Sequence, residues 1–278
     1  EFDTPKPEGE EVLLKTIACG VCHSDVHIHE GAFDLGGGKK LPLPLQMPYT
    51  LGHEIFGEVI ELGPDATNIN IGDKRVIYPW IGCNQCDVCS SGDEHLCPGG
   101  PVLGVQKGGG FGDHVLVPHS RYLMDAGNTP DHLAGSYACS GLTAYTSLKK
   151  ANIKDSDNSL IIVGAGGLGM MGIQIAKAAF NVKPIVVDVD ETKLEIALQS
   201  GASHAINSRD EDAAERIYAI TGGAAAVIDF VGSDLSTGFA TNLLRKGGKY
   251  IIVGLYGGEL NHPLPMMVLM ERNIQGSY

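Results

Sequence analysis

A glycine-rich turn between an apolar strand and a helical stretch constrains the fold of this chain more than any other feature. The apolar run at 160–163 is followed directly by G-A-G-G-L-G at 164–169. In the pattern G-x-G-x-x-G, the first glycine permits a tight turn, the second lets the backbone approach a pyrophosphate, and the third allows close helix–strand packing. The turn therefore predicts a dinucleotide site, and its residues are Gly164, Gly166, Gly167, Leu168 and Gly169.

Strands and helices alternate on both sides of this turn. The predicted strands are 160–163, 185–188, 204–206, 226–230 and 250–253, with a sixth beginning near Asn273. The predicted helices are 168–179, 191–199, 212–220 and 235–244. Such alternation predicts a parallel sheet with right-handed crossovers. We therefore expect an α/β, doubly wound Rossmann domain over residues 141–278.

Asp188 ends the strand after the glycine-rich turn, 19 residues beyond Gly169. An acid at this place binds the hydroxyls of the adenosine ribose and repels a 2′-phosphate. The sequence therefore favours NAD over NADP. The glycine pattern alone is a weak signal, and the alternative is a doubly wound sheet whose ligand site is vacant or binds something else.

The first half of the chain has a different pattern. Short β segments separated by glycine and proline are predicted at 12–17, 54–62, 75–78 and 114–118. We expect an all-β domain over residues 1–140. Within it, residues 34–48 (DLGGGKKLPLPLQMP) are predicted to form a long loop that controls substrate choice, with Lys39 and Lys40 attracting an acidic substrate group or a neighbouring subunit. The alternative is a solvated surface excursion.

Composition excludes several classes of function. The net charge of −13 argues against binding a phosphate backbone, so no nucleic-acid partner is expected. No apolar run is long enough to span a membrane, and no signal-peptide pattern opens the sequence. We expect a protein of the reducing cytoplasm that acts on small molecules.

Four of the seven cysteines are crowded into one short segment. They follow the spacing C-x2-C-x2-C-x7-C, and they are Cys83, Cys86, Cys89 and Cys97. Four thiolates complete the tetrahedral shell of a zinc ion and leave no open position, which is typical of a structural site. The prediction is a structural zinc in a lobe at 83–97, and the alternative is four free thiols on a loop.

Cys22 and His53 form a second candidate metal site. Catalytic zinc has three protein ligands and an open fourth position. Each residue stands close to a carboxylate, and Asp25 is placed to accept the far ring N–H of His53. Spacing alone leaves alternatives open, because His53 suits a satisfied interior histidine and Cys139 a small core residue.

Five motifs in order carry a family resemblance that covers essentially the whole chain. They are G-V-C-H-S-D at 20–25, T-L-G-H-E at 50–54, the four-cysteine lobe, A-C-S-G-L-T-A-Y at 138–145 and G-A-G-G-L-G at 164–169. Together they resemble the zinc-containing medium-chain alcohol dehydrogenases. The resemblance implies a GroES-like β domain followed by a Rossmann domain, in a homodimer or homotetramer. Relative to this family the chain is expected to be a fragment that lacks the first strands and the C-terminal return segment.

The resemblance also implies residue roles in the chemistry. Cys22, His53 and Cys139 match the three ligands of the catalytic zinc, and Glu54 matches the acid that approaches the metal. Ser24 and His27 match a hydroxyl–imidazole proton relay. Contacts with the cofactor are implied for His23 near the pyrophosphate, Thr143 beside the nicotinamide, Lys193 near the adenosine ribose, and the backbone of Val231 and Val253.

The predicted function is zinc-dependent oxidation of an alcohol to an aldehyde or ketone, with NAD as hydride acceptor and two zinc ions per chain. The first alternative is a zinc polyol or amino-alcohol dehydrogenase, but such relatives often replace the third cysteine ligand with glutamate, so Cys139 argues against it. A zinc-ribbon nucleic-acid binder is disfavoured by the net charge. A non-catalytic homologue would be expected to lack Cys22, His53 or the relay.

Overall fold

The computed structural model describes residues 3–43, 48–153 and 159–278. The chain forms two compact units, and each is described separately below. The first contains Glu1–Ala32 and Pro42–Cys139, and the second contains Phe33–Leu41 and Ser140–Tyr278. Over the described ranges, no helix combines the length and the apolar character needed to cross a bilayer.

Short strands dominate the first half of the chain. Its elements are β1 (Val12–Gly20), α1 (His23–Glu30), β2 (Ala32–Gly36), β3 (Lys39–Pro42), β4 (Glu54–Leu62), β5 (Lys74–Ile77), α2 (Asp87–Ser90), β6 (His114–Val117), β7 (Leu123–Met124) and α3 (Asp131–Ala134). Short 3-10 turns lie at Glu94–Leu96, Ser120–Tyr122 and Gly135–Ala138.

The sheet of the first unit has the order β6-β1-β4-β5-β7. Inward-facing apolar side chains such as Leu14, Ile55 and Val59 are fully buried in its core. The strands β1 and β4 run antiparallel, and Gly20 at the end of β1 lies opposite Glu54 at the start of β4. This register brings the residues that follow β1 next to the residues that precede β4.

Strands and helices alternate through the second half of the chain. They are α4 (Ser140–Ala151), β8 (Leu160–Val163), α5 (Gly167–Phe180), β9 (Ile185–Asp188), α6 (Glu191–Ser200), β10 (His204–Asn207), α7 (Ala213–Thr221), β11 (Ala224–Asp229), α8 (Asp234–Leu243), β12 (Leu244–Ile252), α9 (Leu264–Leu269) and β13 (Asn273–Gly276).

These strands form a six-stranded parallel sheet in the order β10-β9-β8-β11-β12-β13. Numbered along the chain, that order is 3-2-1-4-5-6, the order of a Rossmann sheet. Fully buried apolar residues on its strands pack against helices, as Ile161 and Val227 do in one cluster and Val186 does in another. The predicted fold class is confirmed. The strand order reverses between β8 and β11, which is where such sheets bind their ligands.

The prediction of a long loop at 34–48 is wrong in two respects. Its first part forms a hairpin of β2 and β3, and residues 33–41 belong to the second unit rather than to the first. A turn at Gly37 and Gly38, both with positive φ, joins the two strands, because glycine adopts this conformation without steric cost. Residues 44–47 of the predicted loop lie outside the described residues.

Contacts with residues 258–259 explain why the hairpin of β2 and β3 belongs to the second unit. A Cβ atom on Gly36 would lie 2.8 Å from the carbonyl carbon of Gly258, so the two backbones are in close contact. Lys39 also forms an ion pair of 3.2 Å with Glu259. The lysine that was expected to attract a substrate or a neighbouring subunit is therefore paired within its own chain.

Candidate functional site

Three potential metal ligands converge in the first unit. The sulfur atoms of Cys22 and Cys139 and a ring nitrogen of His53 all lie within 4.8 Å of one another. A tetrahedral zinc ion with ordinary bond lengths separates two such donors by about 3.5–3.8 Å. Two thiols and an imidazole are donors that zinc prefers, and three of them leave a fourth position open. The donor set therefore fits a zinc ion with catalytic geometry.

Asp25 connects two of the converging residues. Its carboxylate accepts a hydrogen bond from the backbone N–H of Cys22 at 2.9 Å, and its other oxygen lies 3.1 Å from Nδ1 of His53. Both Asp25 and His53 are buried. The contact occupies Nδ1 and leaves Nε2 on the side of the two cysteines, which is the usual arrangement of a metal-binding histidine with a carboxylate behind it.

Cys139 reaches this site because a 3-10 turn packs directly on β4. A Cβ atom on Gly135 would lie only 2.4 Å from the carbonyl oxygen of Glu54. The buried carboxylate of Glu54 lies over Gly20, where a Cβ atom would be 2.1 Å from Oε2. Two glycines therefore permit the close approach that gathers Cys139, Glu54 and the end of β1.

The electrostatics of the cluster favour a deprotonated thiol. A hydrogen bond from Cys139 lowers the pKa of Cys22, and contacts with His53 lower it further, against the opposing effect of burial. Burial lowers the pKa of His53, but Asp25 and Cys22 outweigh it and raise that pKa overall. By contrast, burial raises the pKa of the neighbouring Cys19 to about 12. These contacts favour the thiolate form of Cys22, whereas burial favours the protonated form of Cys19.

The four cysteines of the predicted lobe also come together. Sulfur–sulfur distances are 3.5 Å between Cys86 and Cys89, 3.9 Å between Cys83 and Cys89, and 3.9 Å between Cys86 and Cys97. Four sulfurs around one tetrahedral zinc are about 3.8 Å apart. Backbone N–H groups, first that of Gln85, lower the pKa of Cys83 to about 6. The lobe fits a closed four-thiolate zinc site.

The predicted relay residues lie on α1, directly after Cys22. Ser24 and His27 are three residues apart and therefore share one side of the helix, and both are half-buried. His23 is exposed, and its ring lies 4.8 Å from that of His27. The helix itself is fixed by its first turn, where the side chain of Asp25 accepts from the backbone of Cys22.

In the second unit, the glycine-rich turn has the geometry of an anion site. Gly164 has a φ of +93°, and a Cβ atom on Gly169 would lie 1.9 Å from the carbonyl oxygen of Gly164. The helix α5 begins at Gly167. Its N-cap residue is Gly166, which has no side chain to cap the helix. A Cβ atom on Gly166 or Gly167 would meet nothing within 4 Å. Open space at an uncapped helix N-terminus fits a pyrophosphate.

Asp188 does more in the structure than the sequence predicts. Its carboxylate accepts hydrogen bonds from the backbone of Ala165 at 2.7 Å, Val189 at 2.7 Å and Asp190 at 3.1 Å. It therefore joins the turn after β8 to the turn after β9. A carboxylate offers about four acceptor sites, so these three bonds leave about one of them unused.

The other predicted cofactor residues are distributed along the same unit. Thr143 is half-buried on α4, and Lys193 is exposed on α6. Val231 and Val253 follow β11 and β12, the two strands beyond the switch point. The side chain of Val231 packs on the glycine-rich turn, since a Cβ atom on Gly164 would lie 2.8 Å from its Cγ2.

Comparison with known proteins agrees with both halves. Residues 8–127 match the family model "Alcohol dehydrogenase GroES-like domain", and residues 167–278 match "Zinc-binding dehydrogenase". An NAD-dependent alcohol dehydrogenase of Sulfurisphaera tokodaii is 41% identical over 282 residues, which cover 100% of this chain and 80% of that protein. The chain belongs to the zinc-containing medium-chain alcohol dehydrogenase family.

Further relatives of this family support the assignment. An NAD-dependent alcohol dehydrogenase of Saccharolobus solfataricus is 39% identical, with 100% of this chain and 80% of that protein covered. The solved structure of the D-arabinose dehydrogenase from Sulfolobus solfataricus matches with a TM-score of 0.88 and 28% identity, over 99% of this chain and 84% of that one. Membership in the family is therefore supported by both sequence and fold.

Sequence reasoning missed two groups in this family member. The first is the triple backbone contact of Asp188, which depends on turns that only the folded sheet brings together. The second is a buried pair of Asp229 and Tyr250 behind the turn after β11. Asp229 is an acid at the carboxyl end of a parallel strand, as Asp188 is, and that shared position is the signal that was available.

Proposed function

We propose that this protein oxidises an alcohol to an aldehyde or ketone and transfers the hydride to NAD. The observation that carries the proposal is the convergence of Cys22, His53 and Cys139 with Asp25 behind the histidine. Three donors of this kind form an open zinc site, and the same chain contains a dinucleotide turn in a Rossmann sheet.

A zinc ion held by these three residues would supply a Lewis acid for the oxygen of the alcohol. The chain keeps that site fixed through Asp25, which orients the ring of His53 and anchors the backbone of Cys22. Burial of Asp25, His53 and Glu54 excludes water from the protein side of the site. A dry, preoriented site strengthens electrostatic effects on the reacting oxygen.

Ser24 and His27 are proposed to carry the alcohol proton away from the site. Their spacing on α1 places a hydroxyl and an imidazole on one side of the helix, next to Cys22. The imidazole of a histidine can accept a proton at one ring nitrogen and release one from the other. This arrangement suits a general acid–base role, and His23 is proposed to contact the cofactor pyrophosphate.

NAD is proposed to bind along the carboxyl ends of the second unit's strands. The pyrophosphate would lie at the start of α5, and the adenosine ribose would donate to Asp188, assisted by Lys193. Thr143 is proposed to flank the nicotinamide, and the backbone of Val231 and Val253 is proposed to line the cofactor. Hydride acceptance itself is the chemistry of the cofactor, so the task of the chain is to hold it in place.

Steady-state kinetics on primary, secondary and aromatic alcohols with NAD and NADP test the function. We expect turnover with NAD, a lower kcat/KM with NADP, and loss of about 100-fold or more in kcat/KM for Cys22→Ser. Cys19→Ala is the matched control, because Cys19 is near the site but outside the ligand set, and its activity should be retained. Absence of turnover with every alcohol would refute the proposal.

A polyol substrate is the second candidate, because of the fold similarity to a D-arabinose dehydrogenase. The third cysteine ligand, Cys139, argues for simple alcohols instead. Adding D-arabinose and short polyols to the same panel separates the two, and a kcat/KM higher for polyols than for every simple alcohol would favour this candidate.

We also propose two zinc ions per chain, one in each cluster of ligands. The support is geometric: the four sulfurs of the lobe and the three-donor set each have separations that suit one zinc ion. Metal analysis of the purified protein should give two zinc ions per chain. A value of one would refute this stoichiometry.

A homodimer or homotetramer in the reducing cytoplasm completes the proposal. Leu264, Val268 and Leu269 on α9 are exposed, and β13 is the edge strand of its sheet. Exposed apolar side chains beside an open edge strand are typical of an interface. Clustered cysteines that bind metal rather than form disulfides are typical of a reducing compartment. Light scattering in solution tests the assembly, and fractionation of cells tests the compartment.

A further inference from the structure

A buried polar cluster lies directly behind the turn that follows β11. Asp229, the last residue of that strand, and Tyr250 on β12 are both fully buried. The hydroxyl of Tyr250 donates to Oδ2 of Asp229 at 2.7 Å and lies 3.2 Å from the hydroxyl of Thr237. Burial raises the pKa of Tyr250, so its hydroxyl keeps its proton and remains a donor.

The second oxygen of this carboxylate holds the backbone of the turn. Oδ1 of Asp229 accepts from the N–H of Val231 at 2.8 Å and from the N–H of Gly232 at 3.0 Å. A buried carboxylate is tolerated only where donors surround it. Here the donors are one phenol hydroxyl and two turn amides, so the conformation of the turn is fixed by the same bonds that stabilise the carboxylate.

Backbone hydrogen bonds connect the end of β11 to the segment that follows β12. The carbonyl oxygen of Asp229 accepts from the N–H groups of Val253 and Gly254 at 2.9 and 3.0 Å. A Cβ atom on Gly232 would lie 2.1 Å from the carbonyl oxygen of Gly254. Because the two segments are in backbone contact, a change at Asp229 moves both of them.

The sheet order indicates which half of NAD passes these segments. Ligands of such sheets bind across the carboxyl ends of the strands at the switch point, here between β8 and β11. Asp188 places the adenosine ribose on the β9 side of the glycine-rich turn. The nicotinamide half must then extend to the opposite side, over the ends of β11 and β12. The packing of Val231 against Gly164 shows that this side begins directly at the turn.

We propose that Asp229 and Tyr250 are positioning residues that set the backbone of Val231–Gly232 and Val253–Gly254 for the nicotinamide half of NAD. They touch neither the cofactor nor the substrate. Their effect passes through the hydrogen bonds to the turn and through the backbone contacts between the two segments. The inference rests on the proposed use of NAD and adds to it the residues that shape one end of the cofactor site.

The test compares two ligands that differ only in the nicotinamide. Titration calorimetry measures binding of NADH and of ADP-ribose to the full chain and to its Tyr250→Phe variant. We expect the Kd for NADH to rise about five- to tenfold, because the carboxylate loses one donor and its hold on the turn shifts. The Kd for ADP-ribose should stay within twofold, since Asp188 and the glycine-rich turn are untouched.

Two further variants keep the test decisive. Thr237→Val removes only the weaker partner of Tyr250 and should raise the Kd for NADH two- to threefold in the same selective way, even if Tyr250→Phe folds poorly. Tyr218→Phe changes an exposed tyrosine on α7 and should alter neither Kd. Equal weakening of both ligands, or no weakening in either variant, would overturn the inference. Failure of the unaltered chain to bind NADH would instead refute the proposed function.

Discussion

Gly135 lies where the 3-10 turn before Cys139 crosses the first residue of β4. Its backbone angles of −59° and −37° are helical, so alanine meets no conformational obstacle there. The obstacle is contact, because a Cβ atom would lie 2.4 Å from the carbonyl oxygen of Glu54. Real Cβ atoms essentially never come closer than 3.0 Å, so Gly135→Ala must displace the turn by at least 0.6 Å.

The size of this displacement decides the outcome. Glu54 is held by strand pairing with Gly20, so its carbonyl cannot rotate away as a flexible side chain would. Overpacking of this kind costs about 1–3 kcal/mol of unfolding free energy. Zinc–ligand distances tolerate only about 0.2 Å, and the shift of the turn is about three times larger. We predict that Gly135→Ala weakens zinc binding at the Cys22, His53 and Cys139 site at least about tenfold.

The assay is zinc content per chain after graded dialysis against a chelator, with dehydrogenase activity and thermal unfolding measured on the same samples. Gly135→Ala should lose one zinc and its activity early while the four-cysteine lobe keeps its metal. Gly238→Ala is the control, because that glycine lies inside α8 with nothing within 4 Å of a Cβ atom. It should keep both zincs and gain up to about 1 kcal/mol of stability. Full zinc content and full activity in Gly135→Ala would refute the reasoning.

Three other predictions follow from the same structure. Cys89→Ser should lower the thermal unfolding temperature and remove the lobe zinc, whereas Cys22→Ser should abolish activity with little change in the unfolding temperature. Similar melting curves for the two variants would contradict the assignment of the lobe as the structural zinc site. Asp188→Ala should narrow the kinetic preference for NAD over NADP. It should also cost about 1 kcal/mol in denaturant unfolding, because the half-buried bond to Ala165 is lost, whereas the bonds to Val189 and Asp190 are exposed and water can replace them. Gly36→Ala should lower the unfolding free energy measurably in the same assay, because the residue has a positive φ and lies against the backbone of Gly258. Lys39→Ala should lower it by at most about 1 kcal/mol, since the ion pair with Glu259 is exposed. A larger loss for Lys39→Ala than for Gly36→Ala would be evidence against the packing of the hairpin.

The sequence predicts the parallel sheet well because each strand is a short apolar run between polar or glycine-rich borders. Strands β8 and β9 begin and end where predicted, and the ends of α5, α6, α7 and α8 differ from the prediction by at most one residue. β12 begins at Leu244, six residues before the prediction. Its first part, L-R-K-G-G-K, carries no apolar pattern. Leu244 and Lys249 pair with β11 on either side of a register shift, so tertiary pairing rather than propensity sets the start of this strand.

The first half of the chain shows where local patterns fail. The helix α1, H-S-D-V-H-I-H-E, lacks an apolar stripe, and contacts at its first turn fix it instead. The motifs identify Cys22, His53 and Cys139 as candidates, but their meeting depends on the register of Gly20 with Glu54, which joins residues far apart in sequence. The same applies to Asp229 and Tyr250, whose bond spans two neighbouring strands.

The hairpin at 33–41 has a consequence for the order in which the chain is made. Its partners at Gly258 and Glu259 are separated from it by about 220 residues, as in the pair of Lys39 with Glu259. During synthesis the hairpin emerges early, yet the surface that receives it exists only after β12 has been translated. Closing so long a loop carries an entropic cost that late contacts must offset. Residues 140–278 expressed alone would therefore leave the backbone at Gly257 and Gly258 without its covering segment, and supplying residues 33–41 as a separate peptide should restore that contact.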